Sequence, residues 1–369
     1  LGKGFFKIAE YHRNWEKKEK MPEGDRSRVS PEVFGLPVEE IKAGLYSDKY
    51  FVRSGEILKR EGHHPRVLMQ VFARKRGIIC GMDEAIAVLK LCAEKPEELV
   101  IHAHFDGDPF EPMETVMTIE GDYSTFAYLE TVYLGIIARG SAVATAVREV
   151  VEAAEDKPIL FFPARFDGYG AQPRDGYAAH IGGAFGVSTD AQAGWWGGSG
   201  LGTVPHGLIA AYGGDTVKAT LAFDRQMPEE IKRIALVDFE NDSVRTSLEV
   251  ARALGERLFA VRLDTASDLR DVSVVSDSED SYGVCPELVW NVRRALDENG
   301  FNHVKIVISG GFTAEKIRRF SKLQVPFDIV GVGSALLQTQ IDFTADVVMV
   351  DGKPCAKVGR EVRFHKDQN

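Results

Sequence analysis

An excess of positive charge is the first thing this sequence lacks. In 369 residues, 45 Lys and Arg face 55 Asp and Glu, a formal net charge of −10. A general nucleic-acid binder needs a basic face, so that class is set aside. A small anionic substrate is not excluded, because a local basic pocket can sit in an acidic protein. Cysteine is scarce: only Cys80, Cys92, Cys285 and Cys355 occur, and no two form a C-x-x-C pair. Neither a zinc ribbon nor a dithiol redox motif is therefore indicated, and so few cysteines in a long chain fit a reducing, cytoplasmic compartment. No uncharged apolar run reaches about 18 residues, so no membrane span is expected. The nearest, YLETVYLGIIAR, carries Glu130 and Arg139. The opening LGKGFFKIAE meets charge too soon for a signal peptide. Internal repeats and low-complexity segments are absent.

What is present fits a globular protein of two or three domains: 44% hydrophobic and 27% charged residues over this length. Residues 1–36 read as a charged N-terminal arm, mobile or loosely docked. Residues 37–150 read as an α/β domain. PVEEIKAGLY, SDKYFVRSGEILKREG and GMDEAIAVLKLC have helical spacing, RVLMQVFAR and EPMETVMTIEGDY read as strands, and a long helix follows, broken or bent near Gly140. From about residue 151 to 339 the rhythm changes. Short apolar runs (PILFFPAR, GAFGVS, GTVP, RIALVDF, LFAVRLD, VKIVISG, FDIVGVG) alternate with amphipathic segments. Buried parallel strands have this near-continuous aliphatic character, and about seven such units predict an irregular parallel β/α barrel. Residues 340–369 hold a hairpin with an Asp-Gly turn and rejoin the first domain.

In such a barrel the working residues lie at the carboxyl ends of the strands. Those ends carry Arg165, Ser188, Thr203 with His206, Asp238 with Glu240, Arg262 with Asp264, and the turns SGG and GVGS. Ser309, Gly310, Gly311 and Gly331, Gly333, Ser334 can offer backbone N–H groups to a phosphate, with Thr313 capping the next helix; alternatively the glycines only make tight turns. Arg262 and Asp264 are two apart, on one strand face. They form either a plain internal ion pair or a site where Arg262 grips a carboxylate in a fork and Asp264 faces a cation or hydroxyls. Asp238 adds a second carboxylate suited to sugar hydroxyls or magnesium. His206 opens a helix, which tends to keep an imidazole neutral; it is either a satisfied loop residue or a chemical group aimed at a ligand.

Taken together, ETVYLGIIARGSAVAT, HIGGAFGVS, GTVPHG, ALVDFEND, VRLDT, VISGGF and GVGSAL resemble nicotinate phosphoribosyltransferases, in order, over residues 40–360. The resemblance implies the type II phosphoribosyltransferase fold, an α/β sandwich followed by an irregular barrel of about seven strands. It also implies transfer of phosphoribose from phosphoribosyl pyrophosphate (PRPP) to nicotinate, giving nicotinate mononucleotide and pyrophosphate for NAD synthesis. Mg2+ would accompany the substrate, near Asp238 and Asp264 rather than in a dedicated protein cluster, and ATP hydrolysis would be coupled through a phosphohistidine. By that resemblance His206 is the phosphorylated residue, Thr203 and Arg262 hold the nicotinate carboxylate, and Tyr50 of SDKYF, with Asp48 nearby, stacks on the pyridine across the interface of a homo-oligomer. SGG and GVGS cradle the 5-phosphate, Asp238 and Asp264 face the ribose or magnesium, and Arg165 is the first of a usual Arg-Arg pair. Phe166 departs from the second position, and AQAGWWGGSG is unusual, with Trp195 and Trp196 as a lid or a wall. The alternatives are a decarboxylating quinolinate phosphoribosyltransferase, which needs a denser Arg, Lys and His cluster, and a non-catalytic phosphoribosyl or nucleotide sensor.

Overall fold

The computed structural model of the protein describes residues 27–364. Most of the expected charged arm lies outside the described residues. Where description begins the chain is docked: Arg28 bonds Asp83 at 2.6 Å and the carbonyl of Ala103 at 2.7 Å, and the N–H of Val29 reaches Asp83 at 2.8 Å. The described residues divide into two compact units, one including residues 27–146 and 339–364, the other including residues 147–338.

In the first of these units, five strands form an antiparallel sheet. Their order is Lys353–Pro354, Phe343–Val350, Arg66–Ala73, Thr115–Asp122 and Val100–Ala103. The last of these was not anticipated from the sequence. Strand Phe343–Val350 pairs with Arg66–Ala73 across nearly the whole chain, and Asp351 and Gly352 turn the hairpin with φ of 47° and 74°, the left-handed pair that a two-residue I′ turn demands. Met69, Val71, Met117 and Ile119 pack beneath it with Leu89, Phe126 and Tyr133.

The helix Glu130–Ala153 runs unbroken through Gly140, contrary to the expected bend. Glycine is there for a different reason: a Cβ would lie 2.6 Å from the carbonyl oxygen of Cys80. It allows a close backbone approach, not a kink.

The second unit holds six parallel strands: β1 Ile159–Phe161, β2 Gly186–Val187, β3 Arg233–Leu236, β4 Leu258–Leu263, β5 Lys305–Ile308 and β6 Ile329–Val332. They lie in the order β2-β1-β6-β5-β4-β3. The seventh run, GTVP, is not a strand. Residues 201–204 nevertheless bridge the open edges, since the N–H of Leu201 bonds Val187 of β2 at 2.7 Å and the N–H of Val204 bonds Ile234 of β3 at 3.3 Å. Gly202 lies within this short bridge and Pro205 ends it, and proline offers no N–H to a ladder. Inside the curl, Leu160, Ile234, Ala260, Val307 and Ile329 form an apolar layer contributed by five strands.

Candidate functional site

Side chains along a strand alternate faces with a period of two. Two residues beyond the apolar layer stand Phe162 after Leu160, Arg262 after Ala260, Ser309 after Val307 and Gly331 after Ile329. The same alternation that plugs the barrel thus builds a polar layer above the plug.

Arg262 organises that layer. Its Nε donates to Ser309 Oγ at 3.1 Å, one terminal nitrogen to Thr203 Oγ1 at 2.8 Å, and the other to Asp264 Oδ2 at 3.0 Å. Ser309 Oγ in turn donates to Asp264 Oδ1 at 2.7 Å. A guanidinium carries five N–H donors; three are used here, leaving two, the number a bidentate carboxylate accepts. The pair is mostly buried, with Arg262 18% and Asp264 23% exposed. The internal ion pair of the sequence reading is present, and the guanidinium keeps donor capacity beyond it.

Phe162 was missed by the sequence reading. Arg262 lies over its ring, 5.7 Å from the centroid. A Cβ at Gly331 would sit 2.5 Å from that ring, and one at Gly333 3.1 Å from the half-exposed ring of Phe166. These glycines thus make room for two aromatic rings, a packing role additional to any offered by their amides. Arg165 stands beside Phe166, 5.5 Å from its centroid. The SGG turn is different. Gly310 and Gly311 have φ of 85° and 69°, and a Cβ on Gly311 would meet nothing within 4 Å, so this turn is open. Thr313 caps the following helix, Ala314–Lys322, by accepting from the N–H of Lys316. Ser334 is exposed.

His206 begins the six-residue helix His206–Ala211. Its Nε2 lies 3.0 and 3.2 Å from the two carboxylate oxygens of Asp238. Besides its place at the helix start, this imidazole has a direct carboxylate partner. With Asp238 ionised, Nε2 donates, and Nδ1 is left without a partner among the described residues. Burial pushes the Asp238 carboxyl up, His206 draws it back, and Asp264 adds to the rise. Among the described residues no group of three or more His, Cys, Asp and Glu could hold a metal ion.

Trp195 and Trp196 do not hang free. Trp196 stacks on His180 at 4.7 Å and 7°, and Trp195 lies 5.8 Å from Tyr177; both partners belong to the helix Gln172–Gly182.

Tyr50 belongs to the other unit, at the start of the helix Lys49–Arg60, and is 60% exposed. There Asp48 accepts at Oδ2 from the Thr131 hydroxyl at 3.0 Å, and its own N–H donates back to that oxygen at 3.0 Å. Glu130, on the same helix as Thr131, is pushed up to about 8, by burial first and then by Asp346 and Asp48.

The fold has counterparts among known proteins. The family model for the quinolinate phosphoribosyl transferase N-terminal domain matches residues 45–141. A nicotinate phosphoribosyltransferase of Mycobacterium tuberculosis is 27% identical over 361 residues, covering 88% of this chain and 76% of that protein. A solved structure titled nicotinate-nucleotide pyrophosphorylase, from Pyrococcus furiosus, is 37% identical with a TM-score of 0.78, covering 88% of this chain and 80% of that one. Human nicotinic acid phosphoribosyltransferase shares the fold, with a TM-score of 0.63 at 17% identity over 84% of this chain and 76% of that one. No helix among the described residues is long and apolar enough to cross a membrane. On the fold and on these relatives together, this chain is a member of the type II phosphoribosyltransferase family of enzymes, to which the nicotinate phosphoribosyltransferases and the nicotinate-nucleotide pyrophosphorylase it resembles belong.

Proposed function

We propose that this enzyme transfers phosphoribose from PRPP to nicotinate, forming nicotinate mononucleotide and pyrophosphate for NAD biosynthesis. The observation that carries the substrate choice is Arg262: one guanidinium with two uncommitted donors, beside the ring of Phe162. That suits a flat ring bearing one carboxylate. The quinolinate reading asks for cations to meet two carboxylates. In the layer around Arg262 the neighbours are instead Thr203, Ser309, Asp264 and Phe162. A neutral amide would leave the guanidinium donors unpaired, and an unpaired buried donor discriminates strongly.

In the transfer, the bond from the anomeric carbon to pyrophosphate breaks and the pyridine nitrogen attacks the same carbon. Positive charge develops on the sugar. Asp238 and Asp264 would offset it or hold the ribose hydroxyls, and the open turn Ser309–Gly310–Gly311 would seat the 5-phosphate. Arg165, at the mouth, would meet the pyrophosphate. Magnesium fits as an escort of the pyrophosphate: Asp238 is engaged by His206, and Asp264 by Arg262 and Ser309. ATP coupling through His206 is part of the proposal; its 45% exposure and partnerless Nδ1 support it. Tyr50 would close the pyridine site from a second copy of the chain.

The test is an assay of pyrophosphate release from PRPP and magnesium with nicotinate, nicotinamide or quinolinate, with and without ATP. Release with nicotinate alone among the three is expected. Release accompanied by carbon dioxide from quinolinate would replace this reading, and tight PRPP binding without any release would favour a sensor.

A further inference from the structure

Among the described residues Lys316 has no anion. Its ammonium lies 4.4 Å from the centroid of Phe312 and 5.8 Å from that of Phe320, both rings fully buried. Among the described residues it makes no ion pair and no hydrogen bond from that ammonium. Burial lowers its pKa; the Cys285 thiol opposes the shift and Arg319 adds to it. Arg319 is itself committed to Asp280, at 2.6 and 2.7 Å. A partly buried cation normally finds a carboxylate. This one has two aromatic faces instead, and it stands in the first turn of a helix, where the backbone is already positive.

Its position shows what would complete it. Side chains on a helix lean toward the N-terminus, so a lysine in the first turn points back over the preceding loop. The contact with the Phe312 ring places the ammonium on that side. Phe312 directly follows Gly311, whose outer face is open. The neighbouring negative charge, Asp264, is already neutralised by Arg262 and Ser309. An anion seated on the Gly310–Gly311 turn would therefore lie at the N-terminus of the helix whose first turn carries this partly buried ammonium.

We propose that Lys316 is a binding residue for the phosphate of the phosphoribosyl substrate, held on aromatic rings until that dianion arrives. This rests on the phosphate placement in the proposed function. A charge-assisted contact of this kind corresponds to roughly a 10- to 150-fold change in affinity.

The experiment measures PRPP and ribose 5-phosphate binding by calorimetry, KM for both substrates, and the melting temperature of the unliganded protein, for the wild type, Lys316→Met and Lys316→Arg. In Lys316→Met, PRPP and ribose 5-phosphate should bind 10-fold or more weakly with KM for nicotinate unchanged, while the melting temperature stays level or rises because an unpaired cation has gone. Lys316→Arg should recover most of the affinity. PRPP affinity within twofold of wild type in Lys316→Met, or a lowered melting temperature with unchanged affinity, overturns the assignment and leaves the lysine a packing residue. If the wild type binds neither phosphate ligand, the phosphate site itself is wrong, which separates the two failures.

Discussion

Replacing Arg262 by Met keeps the stem and removes the fork. Two consequences follow from the geometry. The first is on stability. Asp264 loses its ion pair and retains only the Ser309 hydroxyl at 2.7 Å. The pair is neither exposed nor fully buried, so its loss should cost more than the ~1 kcal/mol of a surface pair and less than the ~3–5 kcal/mol of a buried one, about 1–3 kcal/mol. For a protein of this size that is a fall in melting temperature of about 2–10 °C. The second is on binding. A carboxylate gripped by the two remaining N–H donors is held by charge-assisted bonds worth about 1.5–3 kcal/mol, so affinity for nicotinate should drop roughly 10- to 150-fold. Arg262→Lys keeps the charge but not the fork, and should recover only part of that loss. Equilibrium titration with nicotinate, run beside KM and kcat, separates binding from chemistry. A folded Arg262→Met protein that binds nicotinate within twofold of wild type would refute the argument, because no carboxylate could then be resting on that guanidinium.

Four further outcomes are expected. Asp238→Asn should lower kcat by tenfold or more with little change in nicotinate affinity, and His206→Ala should abolish ATP stimulation while leaving basal transfer; full ATP coupling in the latter would remove the phosphohistidine role. Gly331→Ala places a methyl 2.5 Å from the Phe162 ring and should cost about 1–3 kcal/mol of stability, read as a lowered melting temperature, with the milder Gly333→Ala as its comparison. Glu130, pushed up to about 8 in the folded protein, binds its proton more tightly there than in the unfolded chain. Its cost to stability therefore appears as pH rises from the ordinary carboxylate range to about 8. Glu130→Gln should be near neutral at pH 4.5 and progressively stabilising toward pH 8.5, and a melting-temperature difference that does not grow with pH would contradict the assignment.

The sequence by itself determined the alternation of short aliphatic runs with amphipathic segments, and with it the parallel sheet of the second unit. It also brought Arg262 and Asp264 to one face, and marked the Asp351–Gly352 hairpin. These are local consequences of side-chain period and turn chemistry. Tertiary contact decided the rest. GTVP reads as a strand by composition, yet only two of its neighbourhood's N–H groups find the edges of β2 and β3. Gly140 reads as a helix breaker until the carbonyl of Cys80 comes within van der Waals reach of where its side chain would be. Gly331 and Gly333 read as phosphate amides; that two phenylalanine rings lie against them depends on β1 and β6 being neighbours although some 170 positions separate them in the chain. The partners of His206 and Lys316 were hidden for the same reason. Whether a charged group meets a carboxylate or an aromatic ring is settled by what the fold carries to it from elsewhere, and a linear pattern records only which side of the backbone it leaves from.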